Sequence, residues 1–182
     1  THMYRTNPPV NWTNIEGDLR PEAFSPLSLP GIDNSDYLAS RIPFLFNNDV
    51  TLSMVKLTQE SMPYYFRNAD SDECLFVHQG AGRLETDFGP LDYEVGDYLV
   101  IPRGTVYRFL PQKATSLLSV EATSEITIPD RGMLGSHALF DVGVINVPTP
   151  AEQDNSQSKY QLKVKRLNKI TTVTYPFNPI NT

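Results

Sequence analysis

Apolar and polar residues alternate in short runs over most of the chain, and no long segment carries the three-to-four-residue apolar period of a helix. Runs of this kind predict strands at Ile42 to Phe46, Val50 to Leu57, Cys74 to His78, Gly82 to Thr86, Tyr98 to Ile101, Val106 to Leu110, Ser116 to Glu121, Tyr160 to Lys165 and Ile170 to Tyr175. Turn-forming residues separate them at Asn47-Asn48-Asp49, Phe88-Gly89-Pro90, Val95-Gly96-Asp97 and Pro102-Arg103-Gly104. Many closely spaced short strands in one domain predict an all-β fold, a sandwich or barrel. Residues 4–41, rich in Pro, Asn, Asp and Ser, read as an irregular arm with one helical turn near Asp36 to Ser40. Thr1-His2-Met3 reads as a cloning remnant, the barrel is expected over 42–175, and Pro148 to Ser158 reads as an exposed loop.

Composition narrows this picture. The 182 residues suffice for one cored domain, with 40% hydrophobic and 20% charged residues and no apolar run long enough to span a bilayer. A net charge of -6 gives no electrostatic reason to expect nucleic acid or an anionic membrane. The basic run Lys159, Lys163, Lys165, Arg166 and Lys169 alternates with Tyr160, Leu162 and Val164, as a strand with one solvated face does. A single cysteine, Cys74, excludes an internal disulfide, and no secretory signal is visible, so a reducing cytoplasmic setting is expected. For the same reason Asn11-Trp12-Thr13 is read as a chance sequon.

Two stretches carry the candidate chemistry. In Glu73-Cys-Leu-Phe-Val-His-Gln-Gly80, alternation puts Glu73, Leu75 and Val77 on one face and Cys74, Phe76 and His78 on the other. If the first face is inward, a carboxylate enters an apolar interior, where it needs hydrogen bonds. The Tyr107 hydroxyl or the Arg67 guanidinium is the expected donor: with Tyr107, Glu73→Gln is expected to change stability little, and with an ion pair to lose much folded protein in thermal melts. In Ile101-Pro102-Arg103-Gly104, proline fits the second position of a type I turn and glycine the fourth, which predicts close antiparallel flanking strands presenting Tyr107. Tyr64, Tyr65 and Phe66 are expected to fill the core, and Arg103 and Arg108 to be exposed or paired.

The spacing of Glu73 and Gly80, and of Gly96, Pro102, Gly104 and Tyr107, resembles the two motifs of the cupin superfamily, which implies a cupin-like double-stranded β-helix, or jelly-roll barrel. In that family three histidines and the glutamate hold a metal. Here the corresponding positions are Phe66 and Asn68, or Arg67 and Ala69 under a shorter spacing, with Glu73 and Tyr107, so one carboxylate remains of four ligands. The stretch 64–109, with "SEITIPDRGMLGSHALFD" and "TTVTYPFNPINT", is similar to the N-terminal half of homogentisate 1,2-dioxygenases of bacterial type.

That resemblance implies a parent enzyme, a trimer or pair of trimers, that cleaves homogentisate with dioxygen to maleylacetoacetate in tyrosine and phenylalanine breakdown. Its Fe(II) would sit in a C-terminal catalytic barrel, reached through a junction at 176–182. This chain would be a metal-free domain without catalytic residues or cofactor of its own, serving as scaffold and oligomerisation module. The alternative is a free-standing cupin binding a small aromatic or carboxylic ligand, with Arg67, Leu75, Val77 and Phe109 as the possible pocket. A third reading gathers Glu73, His78 and Tyr107 around a metal. His78 and His137 are otherwise expected to be ordinary surface or loop histidines.

Overall fold

The computed structural model describes residues 3–18, 21, 23, 25, 28, 35–128 and 141–181. His137 and residues 1–2, where a cloning remnant was expected, lie outside them. Eleven strands form two facing sheets: β1 (Arg41–Phe46), β2 (Val50–Leu57), β3 (Tyr65–Asn68), β4 (Asp72–Gln79), β5 (Gly82–Thr86), β6 (Leu91–Tyr93), β7 (Tyr98–Ile101), β8 (Val106–Pro111), β9 (Thr115–Ala122), β10 (Tyr160–Arg166) and β11 (Lys169–Tyr175). One sheet runs β1-β2-β9-β4-β7 and the other β11-β10-β3-β8-β5-β6. The expected jelly roll is thus a sandwich, with no hydrogen-bonded ladder joining the two sheets among the described residues. No helix there is long and apolar enough to cross a membrane.

All nine expected strands form. β3 and β6 were not foreseen, because four residues buried on both faces and three residues after a proline show no usable alternation. Residues 36–40 form the expected turn, closed by the Ser40 amide donating to the Asp36 carbonyl at 2.9 Å. Among the described residues β3 also makes a parallel pairing, against β10.

The turn before Tyr107 departs from expectation. Its hydrogen bond runs from the Thr105 amide to the Pro102 carbonyl at 3.2 Å, one residue further on, with Gly104 at φ 90°. β7 and β8 do not pair. β7 is the edge partner of β4, whereas β8 lies between β3 and β5, so residues 102–105 carry the chain from one sheet to the other. A left-handed residue at the third turn position permits that crossing, and glycine adopts it without steric cost.

Between the sheets, Tyr37, Val55, Met62, Phe66, Leu75, Val77, Leu84, Phe109 and Leu117 make one buried cluster. On the outer side of the six-stranded sheet, Tyr65, Val106, Tyr160, Leu162 and Ile180 make a second. The loop at 148–158 lacks secondary structure, but its middle holds the end of the chain. The Asn178 amide donates to Asn155 Oδ1 at 2.6 Å, and Asn181 Nδ2 donates to the Gln153 carbonyl at 2.7 Å.

Gly80 ends β4 at φ 98°, and a Cβ there would lie 2.6 Å from the Ala114 carbonyl oxygen. Gly80→Ala is therefore expected to cost about 2–3 kcal/mol in urea unfolding, since strain and overlap act together. A loss below about 0.5 kcal/mol would show that the bend relaxes freely.

Candidate functional site

Alternation along β4 turns Glu73, Leu75 and Val77 inward, as expected, and all three are fully buried. The ladder β4–β9 sets Glu73 opposite Glu121, and β3–β8 sets Phe66 opposite Tyr107. The sandwich thereby collects Phe66, Glu73 and Tyr107 in its interior. Their surroundings are aromatic: Phe66 and Tyr107 meet edge to face at 5.6 Å between ring centres, and Tyr37 stacks on Phe109 at 5.6 Å.

Glu73 is fully provided with donors. The Tyr107 hydroxyl donates to Oε2 at 2.7 Å, Arg41 Nη1 donates to Oε1 at 2.8 Å, and the Tyr37 hydroxyl reaches Oε1 at 3.4 Å. Tyr107 is the expected donor, but Arg67 is not. Arg67 faces the other side of β3, beside Val106 and Val164, and its buried Nε has no hydrogen-bond partner. The cation is Arg41, the first residue of β1. Its second nitrogen, Nη2, donates to Ser119 Oγ at 2.7 Å and Glu121 Oε2 at 3.1 Å.

From there the polar ladder continues outward. Asn68 Nδ2 donates to Glu121 Oε1 at 2.6 Å, and Lys165 Nζ pairs with the same oxygen. Asn68 Oδ1 accepts the amides of Asp70 and Ser71. Lys163 and Lys165 therefore do not form a solvated face: they share the side of β10 that carries Phe66 and Asn68 across the ladder, and pair with Asp36 and Glu121. Burial alone would raise the Glu121 carboxyl, yet Arg41, Lys165 and Asn68 hold it below the ordinary glutamate range. Burial pushes the Tyr37 and Tyr107 hydroxyls up, and the Glu73 charge adds to both.

The other expected residues scatter. Leu75, Val77 and Phe109 are fully buried core, while Arg67 lies on the opposite face of its strand, so the four do not line one pocket. His78 is exposed on the outer face beside Phe76, so it does not converge with Glu73 and Tyr107. Tyr64, Tyr65 and Phe66 are all buried, Arg108 pairs with Glu85 at 2.7 Å, and Arg103 is exposed at its turn. A cleft of about 360 Å3 opens over Glu121 and Lys165, between Asn47–Asp49 and Asp70–Ser71.

Arg41, Tyr37 and Glu121 were not singled out from sequence. One signal was present: a carboxylate predicted to be inward demands a cation. Nothing local says which of fifteen Lys and Arg residues supplies it.

The side chains around Glu73 do not suit a metal of the kind the cupin resemblance implies. Phe66 has no donor atom, Asn68 spends both ends of its amide, and Tyr107 and Arg41 occupy both Glu73 oxygens. A ferrous ion needs several free donors converging on one point, and these residues do not fit one. Among the described residues no group of three or more His, Cys, Asp or Glu could hold a metal.

The family model for the homogentisate 1,2-dioxygenase N-terminal region matches residues 3–182. A candidate dioxygenase of Saccharolobus solfataricus is 30% identical, over 81% of this chain and 40% of its own length. The homogentisate 1,2-dioxygenase of Bradyrhizobium diazoefficiens is 31% identical, over 69% of this chain and 28% of its own. The chain thus spans less than half the length of these relatives. Among solved structures, a cupin-2 domain protein of Shewanella frigidimarina has 20% identity and a TM-score of 0.41, covering 46% of this chain and 79% of that one. The chain belongs to the homogentisate 1,2-dioxygenase N-terminal family.

Proposed function

We propose that this chain is the metal-free N-terminal module of a homogentisate 1,2-dioxygenase-like oxygenase, and that Phe66, Asn68, Glu73 and Tyr107 are the relics of a cupin metal site. Its role is to scaffold an iron-bearing C-terminal barrel and to build subunit contacts. Cleavage of homogentisate with dioxygen to maleylacetoacetate, in tyrosine and phenylalanine breakdown, belongs to that second barrel and its Fe(II).

The observation that carries this reading is the occupancy of Glu73. A cupin ligand position is filled by a tyrosine whose hydroxyl donates a hydrogen bond to the glutamate, and a guanidinium 2.8 Å away supplies the positive charge a metal would supply. The clasp between 153–155 and Asn178–Asn181 supports the scaffold role, because it holds the 176–181 segment, the expected junction, against the six-stranded sheet.

The purified chain, supplied with ferrous iron and homogentisate, is expected to consume no oxygen above the buffer rate. Chain-dependent oxygen uptake would overturn the reading. The free-standing binding alternative has one structural feature in its favour, the cleft over Glu121 and Lys165. Saturable thermal stabilisation by a small aromatic acid, abolished by Lys165→Met, would favour it.

A further inference from the structure

Tyr37 belongs to neither sheet. It stands in the turn at 36–40, ahead of β1, yet it is fully buried between the sheets, while Asp36 and Leu38 on either side are half-buried and Ala39 is exposed. The arm thus inserts an aromatic ring into the sandwich from outside the strands. The surroundings are shaped for a ring. Phe109 stacks on it at 5.6 Å between centres and 26° between planes, Tyr107 meets it edge-on at 6.0 Å, and Phe66 lies tilted at 5.6 Å. These are arrangements that aromatic pairs prefer. All three walls stand on β3 and β8, so the six-stranded sheet supplies the chamber and the turn supplies its contents.

The far end of the chamber is polar and loosely filled. The Tyr37 hydroxyl donates to Glu73 Oε1 and accepts from Arg41 Nη1, each at 3.4 Å, the outer limit of a hydrogen bond. The Tyr107 and Arg41 bonds to the same carboxylate are 2.7 and 2.8 Å long. A ring tied to the backbone therefore stops short of the charged groups at the end of its chamber. A free phenol, without that tie, can close both distances and make the short, charge-assisted bonds that Tyr37 does not.

On the outside, Asp36 fastens the turn. Its Oδ2 accepts Lys163 Nζ at 3.2 Å, and its Oδ1 accepts the Tyr64 hydroxyl together with the amides of Leu38 and Ala39. The Asp36 and Lys163 side chains are 31% and 22% exposed, so the fastening lies within reach of solvent while the ring that it holds does not. A tethered ring outcompetes a free one until its tether is loosened.

We propose that the interior of the sandwich is a phenol-binding site which the chain fills with its own Tyr37, and that Asp36 is the latch that keeps it filled. The ligand is a small phenol substituted opposite its hydroxyl. The hydroxyl meets Glu73 and Arg41, the ring meets Phe66, Tyr107 and Phe109, and the substituent leaves where the Tyr37 backbone stands. This is not the cleft over Glu121 and Lys165. Nor does it rest on the scaffold role proposed above, since binding is measured by calorimetry whatever the oxygen electrode reports.

The probe is 4-methylphenol, the tyrosine side chain as a free molecule. Asp36→Ala releases the latch and leaves every core side chain in place. Titration calorimetry of this variant is expected to show one site that binds 4-methylphenol at least about 10-fold tighter than the parent does, because the open form is more populated. Toluene is expected to bind at least about 10-fold more weakly than 4-methylphenol, since it brings no hydroxyl to Glu73 and Arg41. Tyr37→Gly empties the chamber, so its melting temperature should fall and be raised again by saturating 4-methylphenol. If that variant is too unstable to fold alone, the phenol should restore its circular dichroism. Three results would each overturn the proposal: Asp36→Ala binding no tighter than the parent, toluene binding as well as 4-methylphenol, or Tyr37→Gly being neither stabilised nor refolded by the phenol.

Discussion

Arg41→Met should be among the most damaging single substitutions in this protein, lowering the free energy of unfolding by about 3–5 kcal/mol. The Arg41 side chain is 9% exposed and bridges two carboxylates, Glu73 and Glu121, that are 0% and 6% exposed. Methionine has nearly the same reach but no charge, so core volume is retained while Glu73 loses its only cationic partner among the described ion pairs. Glu121 keeps Lys165 and Asn68, which places most of the loss on Glu73.

Glu73→Gln by itself should cost about 1.5–3 kcal/mol, because it removes a charged hydrogen bond while Arg41 retains Glu121 and Ser119. From sequence, little change was expected with Tyr107 as the donor and a large loss with an ion pair; the structure supplies both, Tyr107 on Oε2 and Arg41 on Oε1. The double variant R41M/E73Q should cost clearly less than the sum of the singles, with a coupling of about 1–3 kcal/mol. Urea unfolding with unchanged m-values is the measurement. A loss below about 1 kcal/mol for Arg41→Met, or strict additivity, would mean that water reaches and solvates Glu73.

The second large effect is alkaline. Burial raises the hydroxyls of Tyr37, Tyr64 and Tyr107 above the ordinary tyrosine range, and that of Tyr65 to about 12. Below about pH 10 both folded and unfolded chains hold these protons, and their contribution is fully present. As pH rises further, the unfolded chain releases them first, so stability falls until the folded values are reached. Each hydroxyl contributes about 1.4 kcal/mol per pH unit to the slope, so the four together approach about 5–6 kcal/mol per unit between about pH 10 and 12. Urea midpoints should accordingly be flat around neutrality and collapse on the alkaline side. Tyr37→Phe should flatten the slope by one proton's worth. If the folded chain shows normal phenolate absorbance at about pH 10 for all its tyrosines, the burial argument fails. On the acid side Glu121 and Asp36, both held low by their partners, contribute stability that is lost as pH falls through their folded values.

These effects trace to residues of different legibility. The inward face of β4 and the inward Tyr107 follow from a two-residue period, which is a property of the chain a few residues at a time. The exposed Arg103 tip, the paired Arg108 and the outward His78 were equally readable. Where the local signal fails, it fails for local reasons: β3 is buried on both faces and four residues long, and 102–105 is a turn whose hydrogen bond slides by one residue to let the chain change sheets.

By itself the sequence determined nine of the strands, the all-β sandwich-or-barrel class, and the fact that a lone carboxylate enters an apolar interior within reach of a tyrosine, because side-chain alternation and turn chemistry are short-range. Tertiary structure alone decided what neutralises that carboxylate. Arg41 lies 32 residues from Glu73 and 80 from Glu121, and the register of β1 on β2, β2 on β9 and β9 on β4 brings the three together. Periodicity says which face of a strand is buried. Which distant charge meets it there is set by long-range strand pairing, because a buried ion pair stabilises only when the whole sheet holds both partners at hydrogen-bonding distance.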